Sequence, residues 1–515
     1  MLAARERKEG GRREGIGLEV KVNTLVFVSL NRRMKISYTL PLDLNQSSIT
    51  VELDKDFFKI TVETKGYTES NKFLISLWNQ INIAISPSHS PCRAPWAYFP
   101  NRYLGKKSHV LALGFLQTTL GELYIALSYR RKGDIDAIHF HNPKGAIKES
   151  DKETLTNLVT KAIQAKDSTK RFLCQSKIEL HLEGKKIETY SRETFSLFYS
   201  KQSKSSFVEF YIEAIDQFEA EQIAMENLYN ICAFLSIETN IRITFDDYTV
   251  SDKAKCDKNN SNNYVNDYID NYPFKGEIGN LCISQYALKF IEEVILSRER
   301  FQEMPSDVLH FLSACKHIQL GMIAEERLNT TNVLALPKSS LAFQQKDTKA
   351  RMENMTSAMM SYISAIECTS ATEGSRETCQ TCGIVKYKIA SRVEEFTSKY
   401  LGEHLGLIFH KLYGYRSKFL HDGHFPSDAN CIHTLPLLRK TSDLGLSEFV
   451  GISVQIKGHI CSVAINNVRE WSTYTLRCYY QEKFCARTTF ENKFLDNSDI
   501  EVPFNIVPTA LMEGD

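Results

Sequence analysis

Between Met355 and Ile366, the residues Met355, Ala358, Met359, Tyr362, Ile363 and Ile366 fall at i, i+3, i+4, i+7, i+8 and i+11. That spacing gathers six side chains onto one stripe of an α-helix, which no strand could bury together. The stripe needs other helices to cover it, and the chain supplies them. Val385, Ile389, Val393, Phe396 and Tyr400 mark a helix from about Ile384 to Tyr400; Leu405, Ile408, Leu412, Tyr415 and Phe419 mark another from about Gly402. The last set alternates three and four apart, as bundle helices do. Upstream, Ile283 to Arg300 and Pro305 to Leu328 read as two more, with Pro305 suited to a first turn. A five-helix bundle is therefore expected over residues 276–425, interrupted by a polar, irregular stretch at 329–350.

The periodicity before the bundle is different. Ser48–Leu53 and Phe57–Glu63 carry β-branched residues around Asp54-Lys-Asp56, which predicts a hairpin, and Val110–Tyr129 predicts another around Thr118–Gly121. Residues 34 to about 133 are expected to be mainly short strands. Glu153–Ala165 reads as a helix, Lys177–Leu182 and Phe207–Glu213 as strands, and Asp216–Leu235 as a helix leading to a strand at Ile241–Phe245. Residues 34–250 thus form a β-rich α+β region of unassigned role. The Asn/Asp-rich stretch 251–275 is expected to be a linker and a domain boundary. Past the bundle, 426–515 is expected to be a small α+β appendage with strands at Val450–Ile456 and Ser472–Tyr480. The fold class is multidomain α+β.

With 515 residues the chain exceeds one core, and its 63 basic and 62 acidic side chains nearly cancel. Net charge therefore gives no global case for nucleic-acid binding, and such a site must be a local patch. Thirteen cysteines without framework spacing fit a reducing compartment, and the expected location is the cytoplasm. Residues 1–33 mix acidic and basic groups without an apolar centre, and strand-like alternation settles in only after Met34; 1–33 is expected to be a disordered leader ahead of a natural start at Met34. No apolar run approaches the roughly 20 residues that span a bilayer, so no membrane association is expected.

Chemistry concentrates in Lys411-Leu-Tyr-Gly-Tyr-Arg-Ser-Lys-Phe-Leu-His-Asp-Gly423. Arg416 and His421 lie five positions apart, about 140° around an unbroken helix. A helix end at Asp422-Gly423 would give His421 the freedom to approach the long Arg416 side chain. The plainer reading is that both cations favour the helix C-terminus. Glu367 borders the buried stripe four residues after Ile363 and would be costly without a partner, for which Arg392 or Arg416 could serve. It then either orients an arginine or is a surface carboxylate. Cys379 and Cys382 have the spacing of half a zinc knuckle, but a closed site needs four ligands. A reduced pair without metal is expected, with zinc as the alternative. No P-loop, dinucleotide fingerprint, HExxH or GxSxG sequence occurs.

The pattern Arg416-Ser-Lys-Phe-Leu-His421, preceded by Leu412-Tyr413 and followed by Asp-Gly, resembles the signature of HEPN domains, specifically the Apea-like branch. Ala365-Ile-Glu367 and Tyr387-Lys-Ile-Ala-Ser-Arg392 extend the resemblance over roughly residues 350–425. The resemblance implies a helical bundle, often a homodimer, and a metal-independent endoribonuclease without cofactor. RNA would be cut by 2′-OH attack to leave a 2′,3′-cyclic phosphate. Arg416 and His421 would be catalytic, with Ser417, Glu367 and Arg392 in support. Histidine, with a pKa near 6.5, suits proton transfer, and arginine suits charge on phosphoryl oxygens. Ser417 departs from the Asn, Asp or His common after the family's arginine. The family also suggests a toxin or phage-defence effector with an antitoxin or regulatory partner. The alternative is a non-catalytic HEPN module that binds RNA, nucleotide or protein.

Overall fold

The computed structural model describes residues 57–85, 109–129, 133–181, 186–192, 194–252, 281–297, 304–330, 341–371, 388–422, 451–457 and 459–486, with short pairs at 28–29 and 32–33. The chain divides into two compact units, Met1–Ser168 and Thr169–Asp515. Most of the expected leader, the strand at Ser48–Leu53, all but the first two residues of the linker at 251–275, Cys379, Cys382 and Gly423 lie outside the described residues.

In the first unit β1 (Val28–Ser29) pairs with β2 (Arg32–Arg33). The elements β3 (Phe58–Thr61), α1 (Gly66–Ile85), β4 (His109–Thr118), β5 (Gly121–Tyr129), β6 (Ile135–His141) and α2 (Glu149–Ala165) follow. The main sheet is antiparallel in the order β3-β6-β5-β4. The hairpin expected at Val110–Tyr129 is β4–β5, closing with Thr118 opposite Gly121. Helix α1 is an element that the expectation of mainly short strands across residues 34 to about 133 did not include. Its Phe73, Leu74, Leu77, Trp78, Ile81 and Ile85 join Leu155, Leu158, Val159 and Ala162 of α2 in one core with the sheet. Its start is fixed by contacts that sequence spacing does not reveal: the Gly66 N–H donates to Asp134 Oδ1, and the Glu69 carboxylate accepts from the Lys65 N–H at 2.6 Å.

The second unit opens with an antiparallel sheet in the order β11-β7-β10-β9-β8, made of β7 (Lys170–Leu180), β8 (Tyr190–Ser191), β9 (Phe195–Ser200), β10 (Ser205–Ala214) and β11 (Ile243–Ser251). Along β10 burial alternates residue by residue, so Val208, Phe210 and Ile212 face the core. Helix α3 (Gln217–Thr239) separates β10 from β11. Asp216 caps it by accepting from the Glu219 N–H at 2.8 Å, and the Glu219 carboxylate accepts from the N–H of Ile215, the residue before the cap. Asn240 ends it in the left-handed region at φ 52°.

The helices continue as α4 (Gln285–Phe290), which runs into a π-helical segment at Ile291–Leu296, then α5 (Ser306–Thr330), α6 (Leu341–Ser370), α7 (Ile389–Leu401) and α8 (Glu403–Asp422). The stripe from Met355 to Ile366 is buried as its periodicity predicted. Helix α6 begins within the stretch expected to be irregular. Gln344, Gln345, Lys346 and Lys349 form helices readily but carry no apolar stripe to announce one. Strands β12 (Gly451–Ile456) and β13 (His459–Ala464) form a hairpin, and α9 (Ile465–Cys485) follows.

Helix α9 overturns the strand expected at Ser472–Tyr480 and the appendage that contained it. Every residue from Trp471 to Gln481 is buried. A helix buried on all sides loses its 3.6-residue pattern, and Thr473, Thr475, Tyr474 and Tyr480 then imitate strand preference. Tyr480 packs 5.0 Å from the Phe234 ring of α3 and 5.5 Å from Phe290 of α4, centroid to centroid, and Tyr479 packs 6.0 Å from Phe311 of α5. The bundle is thus built on α3 and α9 as well as the five helices expected, and elements on both sides of 251–275 share one core.

Candidate functional site

Helices α5 and α6 pack antiparallel, and three contacts fix their register. A Cβ at Gly321 would collide with the Tyr362 ring, the Tyr362 hydroxyl donates to Glu325 Oε2 at 2.6 Å, and the Ser313 side chain hydrogen-bonds that of Cys368. The close approach at Gly321 and the polar anchors at either side leave no freedom to slide. Helix α8 crosses the Cys368 end of this pair and delivers its polar residues there.

The Arg416 guanidinium sits at the centre of that end. Its Nη1 pairs with Glu367 Oε2 at 2.8 Å, and its Nε donates to Ser364 Oγ at 3.0 Å. The two side chains of the pair keep 18% and 23% of their surface exposed. Glu367 therefore finds the partner that its border position required, and it is Arg416 rather than Arg392. Tyr413, one turn before Arg416, lies with its ring 5.8 Å from the guanidinium and its hydroxyl 3.5 Å from Glu367 Oε1. Burial raises the Tyr413 pKa, followed in effect by the Glu367 charge; Arg416 and Arg392 oppose the rise. The Arg392 side chain is half-buried on α7 and makes no hydrogen bond or ion pair among the described residues.

His421 does not join this group. Helix α8 stays helical through Asp422, so the 140° separation expected for five residues on an unbroken helix applies to Arg416 and His421. His421 is exposed beside Leu420, itself 61% exposed, and its side chain makes no hydrogen bond or ion pair among the described residues. Ser417 is half-buried and likewise makes neither.

One member of the site carried no sequence signal. His317, half-buried on α5, lies close enough to Arg416 and Glu367 for both charges to act on its ring. Burial and then Arg416 lower its pKa, while Glu367 opposes them. No spacing rule links a histidine in the middle of α5 to a motif about a hundred residues later; only the packing of α5 on α6 does.

No protein-family model, curated protein or solved structure matches this chain. The chemistry is therefore read from the side chains alone. A fixed guanidinium, a carboxylate holding it, a phenol and a histidine form a half-open polar group able to receive an anion and move a proton. Among the described residues no group of three or more His, Cys, Asp or Glu side chains could hold a metal ion. Among them, too, no helix is long and apolar enough to cross a membrane.

Proposed function

We propose that the helical unit is a metal-independent endoribonuclease of the HEPN type, acting as a homodimer. The observation that carries this reading is the anchoring of Arg416 by Glu367 and Ser364, which holds the cation of the Arg416–His421 pattern in one place. Among the described residues Nη2 of Arg416 has no partner, so its N–H groups are available to non-bridging phosphate oxygens. A 2′-OH attacking its own phosphate would form the O2′–P bond, break the P–O5′ bond and leave a 2′,3′-cyclic phosphate; an adjacent 2′-OH makes RNA the substrate.

The divergence of Arg416 and His421 on α8 is what supports the homodimer in this reading. Two copies related by a twofold axis could set the exposed Leu420–His421 end of one against the Arg416 group of the other. The test uses purified protein in EDTA. Wild type should yield 2′,3′-cyclic ends, and Arg416→Ala and His421→Ala should each abolish them. After subunit exchange the mixture of the two variants should recover about a quarter of wild-type activity, since half the dimers are mixed and each has one intact composite site. No recovery removes the shared site, and no cleavage by wild type removes the ribonuclease.

Glu367 itself favours a second reading. A carboxylate 2.8 Å from Arg416 cancels charge that phosphate binding would use. A non-catalytic HEPN module would bind RNA, nucleotide or protein through the same surface, and retained RNA binding without cleavage by wild type would select it.

A further inference from the structure

We infer that His317 is a second histidine of the Arg416 site and takes the proton from the attacking 2′-OH. The inference rests on the ribonuclease reading and deepens it.

The placement comes from helix register. Ser313, His317 and Gly321 are spaced four apart and lie along one stripe of α5. Ser313 touches Cys368 and Gly321 touches Tyr362, so His317, midway between them, falls opposite Ser364–Glu367. Ser364 and Glu367 are the two residues that hold Arg416. His317 thus lies on the side of α5 that faces the residues holding Arg416, within the same chain, and the guanidinium charge acts on its ring. The ring is half-buried, as are Ser364, Glu367, Tyr413 and Arg416, so the group forms an open-sided polar patch rather than a sealed network.

The charges around the ring suit a proton acceptor. Glu367 comes from α6 and Arg416 from α8, with the Tyr413 phenol behind them; on α5 the nearest charge is the exposed Lys316. Burial and Arg416 hold the ring neutral at neutral pH, leaving a nitrogen lone pair free. O2′ gives its proton to His317 and bonds to phosphorus, Arg416 meets the charge on the non-bridging oxygens, and O5′ leaves phosphorus with a proton from His421 of the partner subunit. Water later returns both histidines to their starting states.

Replacing His317 by Gln keeps the shape and hydrogen bonding and removes the titration. For H317Q we expect cleavage to fall about 100-fold or more, with RNA affinity unchanged and the acidic limb of the rate–pH profile lost. In H317A, which opens space for a small base, added imidazole should restore part of the rate, a response that a merely structural histidine would not give. Circular dichroism checks that each variant folds; should H317Q not fold, H317A with imidazole decides. Wild-type cleavage with an unchanged rate and pH profile in H317Q, or a folded H317A that imidazole leaves inactive, overturns the role of His317 alone. A wild type that does not cleave overturns the ribonuclease reading beneath it.

Discussion

Glu325 is nearly sealed from solvent and accepts two bonds at 2.6 Å, one from the Tyr362 hydroxyl and one from Arg469 Nη1 on α9. The substitution Glu325→Gln preserves the volume but turns the carboxylate into a neutral amide, which removes the charge facing the Arg469 guanidinium. Breaking a buried ion pair on one side costs about 3–5 kcal/mol, because the remaining charge stays desolvated. Arg469 retains 16% exposure, so the lower end, about 3 kcal/mol, is expected. At roughly 2 °C per kcal/mol for a large unit, the melting temperature should fall by about 6 °C. The decisive comparison is E325Q/R469M, in which both charges are gone. Replacing a whole buried pair by apolar groups is often neutral, so the double variant should regain most of the loss and show a coupling of about 2–3 kcal/mol. Urea unfolding followed by the fluorescence of buried Trp471, two residues from Arg469, reads both. A double variant less stable than E325Q would refute the claim that desolvated charge dominates at this contact.

Gly321→Ala should cost about 1–3 kcal/mol by forcing the Tyr362 ring off its contact, and an unchanged urea midpoint would show that α5 and α6 can separate freely. Asp216→Ala should cost about 1 kcal/mol through loss of the α3 cap, with Asp216→Asn recovering most of it; equal losses in the two would exclude capping as the cause. His139 in the first unit is buried against Ser128 Oγ at 3.1 Å, and burial, aided by Lys59, lowers its pKa to about 4. Unfolding lets the ring bind a proton near pH 6.5, so the unfolded state gains protons between about 6.5 and 4 and the unit loses roughly 3 kcal/mol as the pH falls through that window. His139→Leu should flatten this part of the stability–pH curve, and an equally steep curve in the variant would assign the loss to other groups.

What could be read from the sequence depended on whether a segment faces solvent on one side. Helix α6 past Met355 and helices α7 and α8 have a buried stripe and a wet face, and their spacing located them. Helix α9 has no wet face, so it passed for a strand, and the polar first turns of α6 passed for a loop. The same distinction governed the site. Glu367 was legible because an acid at the edge of an apolar stripe demands a cation. Which cation answered depended on the crossing of α8 over α6, and no spacing encodes that. His317 was not legible at all, since a histidine on α5 has ordinary neighbours in sequence and acquires Arg416 only through tertiary packing.

Along α5 and α6 the same two helices carry two polar groups that differ in how completely they are closed. At the Glu325 end, Tyr362 and Arg469 take up both carboxylate oxygens, and the carboxylate is 1% exposed. That group has no capacity for a ligand, and its work is to bind α9 to the pair. At the Glu367 end, the carboxylate and guanidinium remain about one-fifth exposed, the Arg392 side chain has no hydrogen-bond or ion-pair partner among the described residues, and the His317 ring is held neutral. An ion pair that served only stability would gain from closure, as the first one has. This partial exposure weakens the Arg416–Glu367 attraction by solvent screening, and so lowers the cost of turning the guanidinium partly toward an incoming phosphate. Glu367 then acts as a tether that holds Arg416 in place without neutralising it as fully as a sealed pair would. On that account Glu367→Gln should loosen Arg416 and lower phosphate affinity, although it removes a negative charge. If simple charge repulsion governed the site, the same substitution would raise affinity, so inorganic phosphate binding to this variant, read by calorimetry, separates tether from obstacle.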